Sequence, residues 1–263
     1  VNGLHVALHG AGAPLVLVHG WGMHGGVFAP LVERLAASHA LYVVDLPGHG
    51  SSRDSTVPMT LAAVVDALTE VVPPAAWLGW SLGGLFALHA TARRPARVHA
   101  LAMLSATPRF VAGTDWPHGV DAAVFRGFAQ DLAQDYRGTL QRFIALETIG
   151  AAQARDTLRQ LQAALFARGE PTPTALHAGL DLLAGSDLRE ALPGLAVPSL
   201  WLGGRRDRLV APAALEAAAA LAPGARVELL AHAAHAPFLT DPDAVAGTLA
   251  TWLATSTPGS RAA

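Results

Sequence analysis

Six short apolar runs punctuate this chain: Leu15–His19 before Gly20, Ala40–Asp45 before Leu46-Pro47-Gly48, Ala75–Leu78 before Gly79, His99–Leu104, Ser199–Gly203 and Arg226–Leu230. They do not alternate between apolar and polar residues. A strand with one wet face alternates, whereas a run apolar throughout suits a strand covered on both faces, as in a parallel sheet. Stretches with helical spacing lie between them: Val27–Ala37, Leu61–Val72, Leu82–Arg93, Ala213–Leu221 and Asp243–Leu253. Strand and helix in turn predict an α/β fold with helices on both faces of a mostly parallel sheet. The rhythm breaks once, between Thr107 and Ser186. There Phe125–Leu132, Tyr136–Leu146, Ala151–Leu165 and Thr174–Leu183 carry apolar residues three and four apart, and no buried-type strand appears. The stretch is too long for a loop. We expect a helical insertion over 107–186 set into a core formed by 1–106 and 187–263.

Composition narrows the classes. With 263 residues and 52% hydrophobic content the chain can bury one large core, and 14% charged residues rule out a disordered polyelectrolyte. A net charge of −2 gives no reason to expect nucleic acid. All 18 basic residues are arginine, which reads as compositional bias. The absence of cysteine excludes disulfides, a thiol nucleophile and thiolate metal sites. Val1–Pro14 shows no basic segment followed by a long apolar run, and no stretch reads as membrane-spanning. A soluble, cytoplasmic, monomeric protein without membrane association is the expectation, with a frayed tail from Ser256.

Gly79-Trp80-Ser81-Leu82-Gly83 follows the third run and fits G-x-S-x-G. In that turn a strand passes sharply into a helix and leaves a serine at its tip. Glycines flank it because side chains there would meet neighbouring backbone, and the amides of the first helical turn sit beside the hydroxyl. A serine hydroxyl needs a base. Of 12 histidines, His5, His9, His39, His99, His118 and His177 read as surface or core residues. His235, in Ala233-Ala234-His235-Ala236-Pro237-Phe238, follows the last run, at the carboxyl edge where the serine turn also opens. His232 is its competitor. The carboxylate that would orient the imidazole is Asp207, in Gly203-Gly204-Arg205-Arg206-Asp207-Arg208, with Asp45 and Asp187 as weaker alternatives. Two amides should face a developing oxyanion. They are expected from Leu82 and from Trp21 in His19-Gly20-Trp21-Gly22, the Trp21 ring bordering the acyl pocket.

These motifs, with Asp45-Leu46-Pro47-Gly48-His49-Gly50-Ser51-Ser52, resemble the α/β-hydrolase superfamily over nearly the whole chain. Within it, Trp77–Leu85, Asp115-Trp116-Pro117, Arg142–Thr148 and Ala233–Phe238 are similar to the pimeloyl-[acyl-carrier protein] methyl ester carboxylesterases of biotin synthesis. The resemblance implies hydrolysis of that methyl ester to methanol and a free carboxylate, without metal or organic cofactor. It implies an acyl site lined by Trp21, Ser81, Leu82, Phe143, Ile144, Ala145, Leu146, Glu147 and His235, with Glu147 standing where the family often carries glutamine. It also implies an acyl-carrier protein as partner, docked on Arg142, Arg155 and Arg159. Gly138 replaces an arginine expected beside Arg137. The insertion as a whole is not basic, with seven Arg against eight Asp plus Glu between Thr107 and Ser186. Two other enzymatic readings share the same serine: a broad short-chain carboxylesterase and a carbon–carbon bond hydrolase. A small-molecule receptor is the non-enzymatic alternative. Dehalogenase and epoxide hydrolase chemistry is disfavoured, because the resemblance to those enzymes calls for aspartate at position 81.

Overall fold

A computed structural model describes residues 3–149 and 154–256. Seven strands, β1 (Val6–His9), β2 (Ala13–Val18), β3 (His39–Val44), β4 (Ala75–Trp80), β5 (Val98–Leu104), β6 (Ser199–Gly204) and β7 (Ala225–Leu230), form one sheet in the order β1-β3-β2-β4-β5-β6-β7. All neighbours are parallel except β1 on β3. β4 is buried at every position, and β2 is buried from Leu15 to Val18. The unalternating runs of the inner strands thus reflect cover on both faces, whereas Arg226–Leu230, expected to be covered likewise, falls in the edge strand β7, none of whose residues is buried. Strand β1 was not expected. It is a four-residue edge strand, half exposed, with Leu8 58% accessible, so no apolar run announces it.

The helices are α1 (Ala29–Leu35), α2 (Leu61–Val71), α3 (Leu82–Arg93), α4 (Ala122–Gln134), α5 (Tyr136–Thr148), α6 (Ala154–Leu165), α7 (Pro173–Gly185), α8 (Pro212–Leu221), α9 (Pro237–Thr240) and α10 (Pro242–Ser256). Side chains of Thr60, Asp121, Asp135 and Thr172 accept first-turn amides at the starts of α2, α4, α5 and α7. The helix expected over Val27–Ala37 is shorter, because Gly25–Phe28 forms a 3-10 turn and Pro30 sits in the first turn of α1. Pro242 likewise restarts the chain after the one-turn α9. The predicted start of the third insertion helix, Ala151, and the tail beyond Ser256 lie outside the described residues. Among those residues no helix is long and apolar enough to cross a membrane.

Helices α4–α7 all lie between β5 and β6. An ion cluster joins the two chain segments flanking them: Arg189 contacts Asp115 and Asp187, each at 2.6 Å, and Arg109 meets the same carboxylates at 3.1 and 3.3 Å. Asp187 is therefore committed to this cluster, far from the role considered for it.

The strand order also positions the site. The chain runs from β2 outward to β3, then crosses back to β4 on the other side of β2. In open α/β sheets the crevice at the carboxyl ends of strands flanking such a reversal is where ligands bind. The loops leaving β2 and β4 are those with His19-Gly20-Trp21-Gly22 and Ser81.

Candidate active site

One residue, Ser81, turns β4 into α3. Its φ of 53° and ψ of −121° are unfavourable for a side-chain-bearing residue, of order 1–3 kcal/mol. Packing imposes this turn. A Cβ on Gly79 would lie 2.2 Å from the Gly83 carbonyl oxygen, and one on Gly83 would lie 2.1 Å from that of Val18. Only bare backbone fits on either side. A serine preceding a helix ordinarily caps it. Here the hydroxyl makes no cap and instead donates to His235 Nε2 at 2.9 Å.

His235 lies between β7 and α9, and Asp207 between β6 and α8. The imidazole Nδ1–H donates to Asp207 Oδ2 at 2.8 Å. A carboxylate only accepts, so the proton is on Nδ1 and Nε2 offers its lone pair to the serine. The other carboxylate oxygen accepts the Leu209 and Val210 amides at 2.8 and 2.9 Å, which fixes the Asp207 rotamer. Ser81, His235 and Asp207 are all buried, whereas Arg205, Arg206 and Arg208 around Asp207 point to solvent. Burial opposes the imidazolium, but the Asp207 charge and its hydrogen bond outweigh it, so the His235 pKa is raised. The competitor His232 is exposed and contacts Arg206 at 3.2 Å. Asp45 is held elsewhere, accepting the Gly25 and Ser51 amides at 2.7 and 2.8 Å and pairing with Arg168 at 3.4 Å.

Leu82 opens α3, so its N–H has no partner inside the helix. The Gly20 loop packs directly on the serine: a Cβ at Gly20 would lie 3.2 Å from Ser81 Cβ. Trp21 is buried with its indole N–H donating to the Leu176 carbonyl at 2.8 Å, and its ring meets Phe143 edge-on at 4.7 Å. This combination of a serine next to a base, a carboxylate behind the base and amides beside the serine can attack a carbonyl and hold the oxyanion that results.

Above the serine is a cramped apolar cavity of about 10 Å³, lined by Ser81, Phe110, Phe125, Phe143, Leu183 and Leu209. The stretch 143–147 does not face it as a block, because successive helical residues point about 100° apart. Phe143 and Glu147 share the inward face of α5, and Ile144 is buried too. Ala145 and Leu146 instead line an outer groove between α4 and α5, with Phe128, Asp131 and Arg142. Of the arginines expected to dock a partner, Arg142 pairs with Asp131 at 3.0 Å and Arg159 pairs with Asp156, while Arg155 is exposed on α6. Arg137 is engaged by Glu170 and stacks over Phe166.

Two positions escaped the sequence reading. Trp80, the variable residue before Ser81, donates its indole N–H to the His235 carbonyl at 2.9 Å, and His235 N–H donates to the Glu147 carbonyl at 3.2 Å. The base is thus pinned by both the serine turn and α5. His19 accepts the Leu46 amide on Nε2 at 3.0 Å and donates from Nδ1 to the Gly20 carbonyl at 2.8 Å. Burial, with His49 adding, lowers its pKa to about 3 and keeps it a neutral strut of the Gly20–Trp21 loop. A histidine closing an apolar run was the available signal for His19. Nothing local marked Trp80.

Sheet order, serine turn and relay define the class of protein: the chain belongs to the α/β-hydrolase fold family, whose model matches residues 13–242. The narrower likeness is to curated proteins named pimeloyl-[acyl-carrier protein] methyl ester esterase. It is 56% identical to that of Stenotrophomonas maltophilia (strain K279a), covering 97% of this chain and 98% of that protein. It is 58% identical to that of Xanthomonas campestris pv. campestris (strain B100), over 94% of this chain and 97% of that one. Among solved structures, an esterase from Exiguobacterium antarcticum superposes with a TM-score of 0.83 at 22% identity, covering 95% of each chain, which shows the shared fold.

Proposed function

We propose that this chain is a serine carboxylesterase that hydrolyses the methyl ester of pimeloyl-[acyl-carrier protein] to pimeloyl-[acyl-carrier protein] and methanol, a step of biotin biosynthesis. The chemistry rests on one observation, the unbroken hydrogen-bonded chain Ser81–His235–Asp207 beneath an apolar cavity. The substrate rests on 56–58% identity, over nearly the full length, to esterases of that name.

His235 takes the Ser81 proton as the hydroxyl attacks the ester carbonyl, with Asp207 stabilising the imidazolium. The Leu82 and Trp21 amides hold the tetrahedral oxyanion. His235 then gives the proton to the departing methoxide, forming methanol. In a second cycle His235 activates water, which attacks the acyl-serine and returns the proton to Ser81. We assign residues 107–186 as a cap over a core of 1–106 and 187–263. At about 10 Å³ the cavity is far smaller than the 300–1,000 Å³ common for ligand sites, so a seven-carbon acyl chain must part the cap helices from the core to enter. Arg142, Arg155 and Arg159 form the docking patch for the acidic carrier.

The test is product analysis with pimeloyl-carrier protein methyl ester beside unlinked dimethyl pimelate. Methanol release from the carrier-linked ester, lost in Ser81→Ala by about 10⁶-fold, is expected. Undiminished turnover in Ser81→Ala overturns the nucleophile. Equal turnover of both esters favours a broad short-chain carboxylesterase.

A further inference from the structure

We propose that Glu147 works as an uncharged carboxylic acid whose O–H is reserved for an oxygen of the ester bound over Ser81, so that substrate binding depends on this carboxyl staying protonated. The inference deepens, and rests on, the esterase reading above.

Glu147 is 1% exposed, and neither of its carboxyl oxygens has a hydrogen-bond partner among the described residues. Buried polar atoms are nearly always paired, so two orphans on one side chain call for an explanation. Its position supplies one. Glu147 lies one turn beyond Phe143 on the inward face of α5, and Phe143 lines the cavity over Ser81. Its main-chain carbonyl receives the His235 amide, so the residue abuts the loop carrying the base.

The local donors and acceptors are already used. His235 Nδ1 and Asp207 bond each other, and His235 Nε2 bonds Ser81. No partner is left for Glu147 from the relay. A carboxylic ester brings acceptor oxygens and no donor. Only the protonated form of Glu147 can hydrogen-bond it, whereas a carboxylate would face the ester oxygens lone pair to lone pair. The charged groups facing Glu147 are His235 and Asp207. On the helices packed against α5, Arg126 and Asp131 of α4 and Arg155, Asp156 and Arg159 of α6 are all exposed. Burial first, with the Asp207 charge adding to it and His235 opposing, pushes the Glu147 pKa up to about 8. The acid form thus dominates at neutral pH and is lost in mildly alkaline solution.

The test measures kcat and KM for dimethyl pimelate between pH 6.5 and 9.5 in the wild type, Glu147→Gln and Glu147→Leu. In the wild type, kcat/KM should fall above about pH 8, approaching tenfold per pH unit, with KM carrying the change. Glu147→Gln keeps a donor that cannot ionise. It should lower kcat/KM about threefold at pH 7, as a neutral amide in place of the acid, and abolish the alkaline fall. Glu147→Leu should lose about tenfold at pH 7 and also show no alkaline fall. An alkaline fall that survives in Glu147→Gln, or wild-type kcat/KM at pH 7 in Glu147→Leu, overturns the proposal. Ser81→Ala run alongside separates the two levels. Turnover independent of Ser81 removes the esterase reading itself, whereas Ser81-dependent turnover with unaltered pH profiles removes only the role given to Glu147.

Discussion

Replacing Asp207 by asparagine should cost about four orders of magnitude in kcat while leaving the fold intact, and the geometry says why. Oδ1 of Asp207 accepts the Leu209 and Val210 amides at 2.8 and 2.9 Å. An asparagine must keep its carbonyl oxygen there, because turning the NH₂ toward two N–H donors would forfeit both bonds, roughly 2–3 kcal/mol. The NH₂ is then aimed at His235 Nδ1, where the aspartate now accepts at 2.8 Å. The amide can only donate at that place, so the imidazole must accept on Nδ1 and carry its proton on Nε2. That proton points at Ser81 Oγ, 2.9 Å away, and the base can no longer take the hydroxyl hydrogen. The imidazolium formed during attack also loses its counter-charge. Tautomer reversal of this kind typically costs about 10⁴ in kcat, or roughly 5.4 kcal/mol at 1.36 kcal/mol per decade. The assay is the pre-steady-state burst with p-nitrophenyl acetate at pH 7.5, with thermal unfolding as a check that the variant is folded. A folded Asp207→Asn enzyme within tenfold of wild type would refute the reasoning, because the relay would then not set the proton's place.

Two further outcomes follow from the same structure. Arg155→Glu combined with Arg159→Glu should raise KM for the carrier-linked ester at least tenfold and leave p-nitrophenyl acetate untouched; equal effects on both substrates, read from steady-state kinetics, would remove the docking patch. Glu147→Gln should also stabilise the protein at pH 7. A carboxyl whose folded pKa is raised contributes its full stability below the unfolded value of 4.5 and loses it as pH rises toward about 8. At pH 7 the penalty is about 3 kcal/mol, reduced to a net gain of about 2 kcal/mol in the variant by one more unpaired amide hydrogen. Urea unfolding at pH 7 and pH 4.5 checks this, and an equal difference at both pH values would contradict it.

Much of this architecture was legible without coordinates, for particular reasons. Six of seven strands announced themselves as apolar runs, and for inner strands the reason is burial on both faces, as at Leu15–Val18 and Ala75–Trp80, whereas β7 carries such a run although it is an edge strand with no buried residue. β1 did not, because it is only four residues long and exposes Leu8 to solvent, too short and too wet to carry such a run. The serine turn was legible because Gly79 and Gly83 answer to short-range contacts at 2.2 and 2.1 Å that no Cβ survives. The acyl-site stretch from Phe143 to Glu147 was legible only as a segment. A run of sequence cannot say that Phe143 and Glu147 turn inward while Ala145 and Leu146 face another groove.

Taken alone, then, the amino-acid order determined the α/β alternation, the insertion between the fourth and fifth of the recognised runs, and the serine, histidine and carboxylate that make one site. Those are properties of periodicity and turn chemistry, which act over a few residues. The tertiary structure alone decided that Trp80 grips His235 across 155 positions, that Asp45 and Asp187 are spent on other partners, and that Glu147 is sealed beside the base with nothing to bond among the described residues. Burial, rotamer and protonation state are set by groups brought together from distant parts of the chain, and no local pattern encodes them.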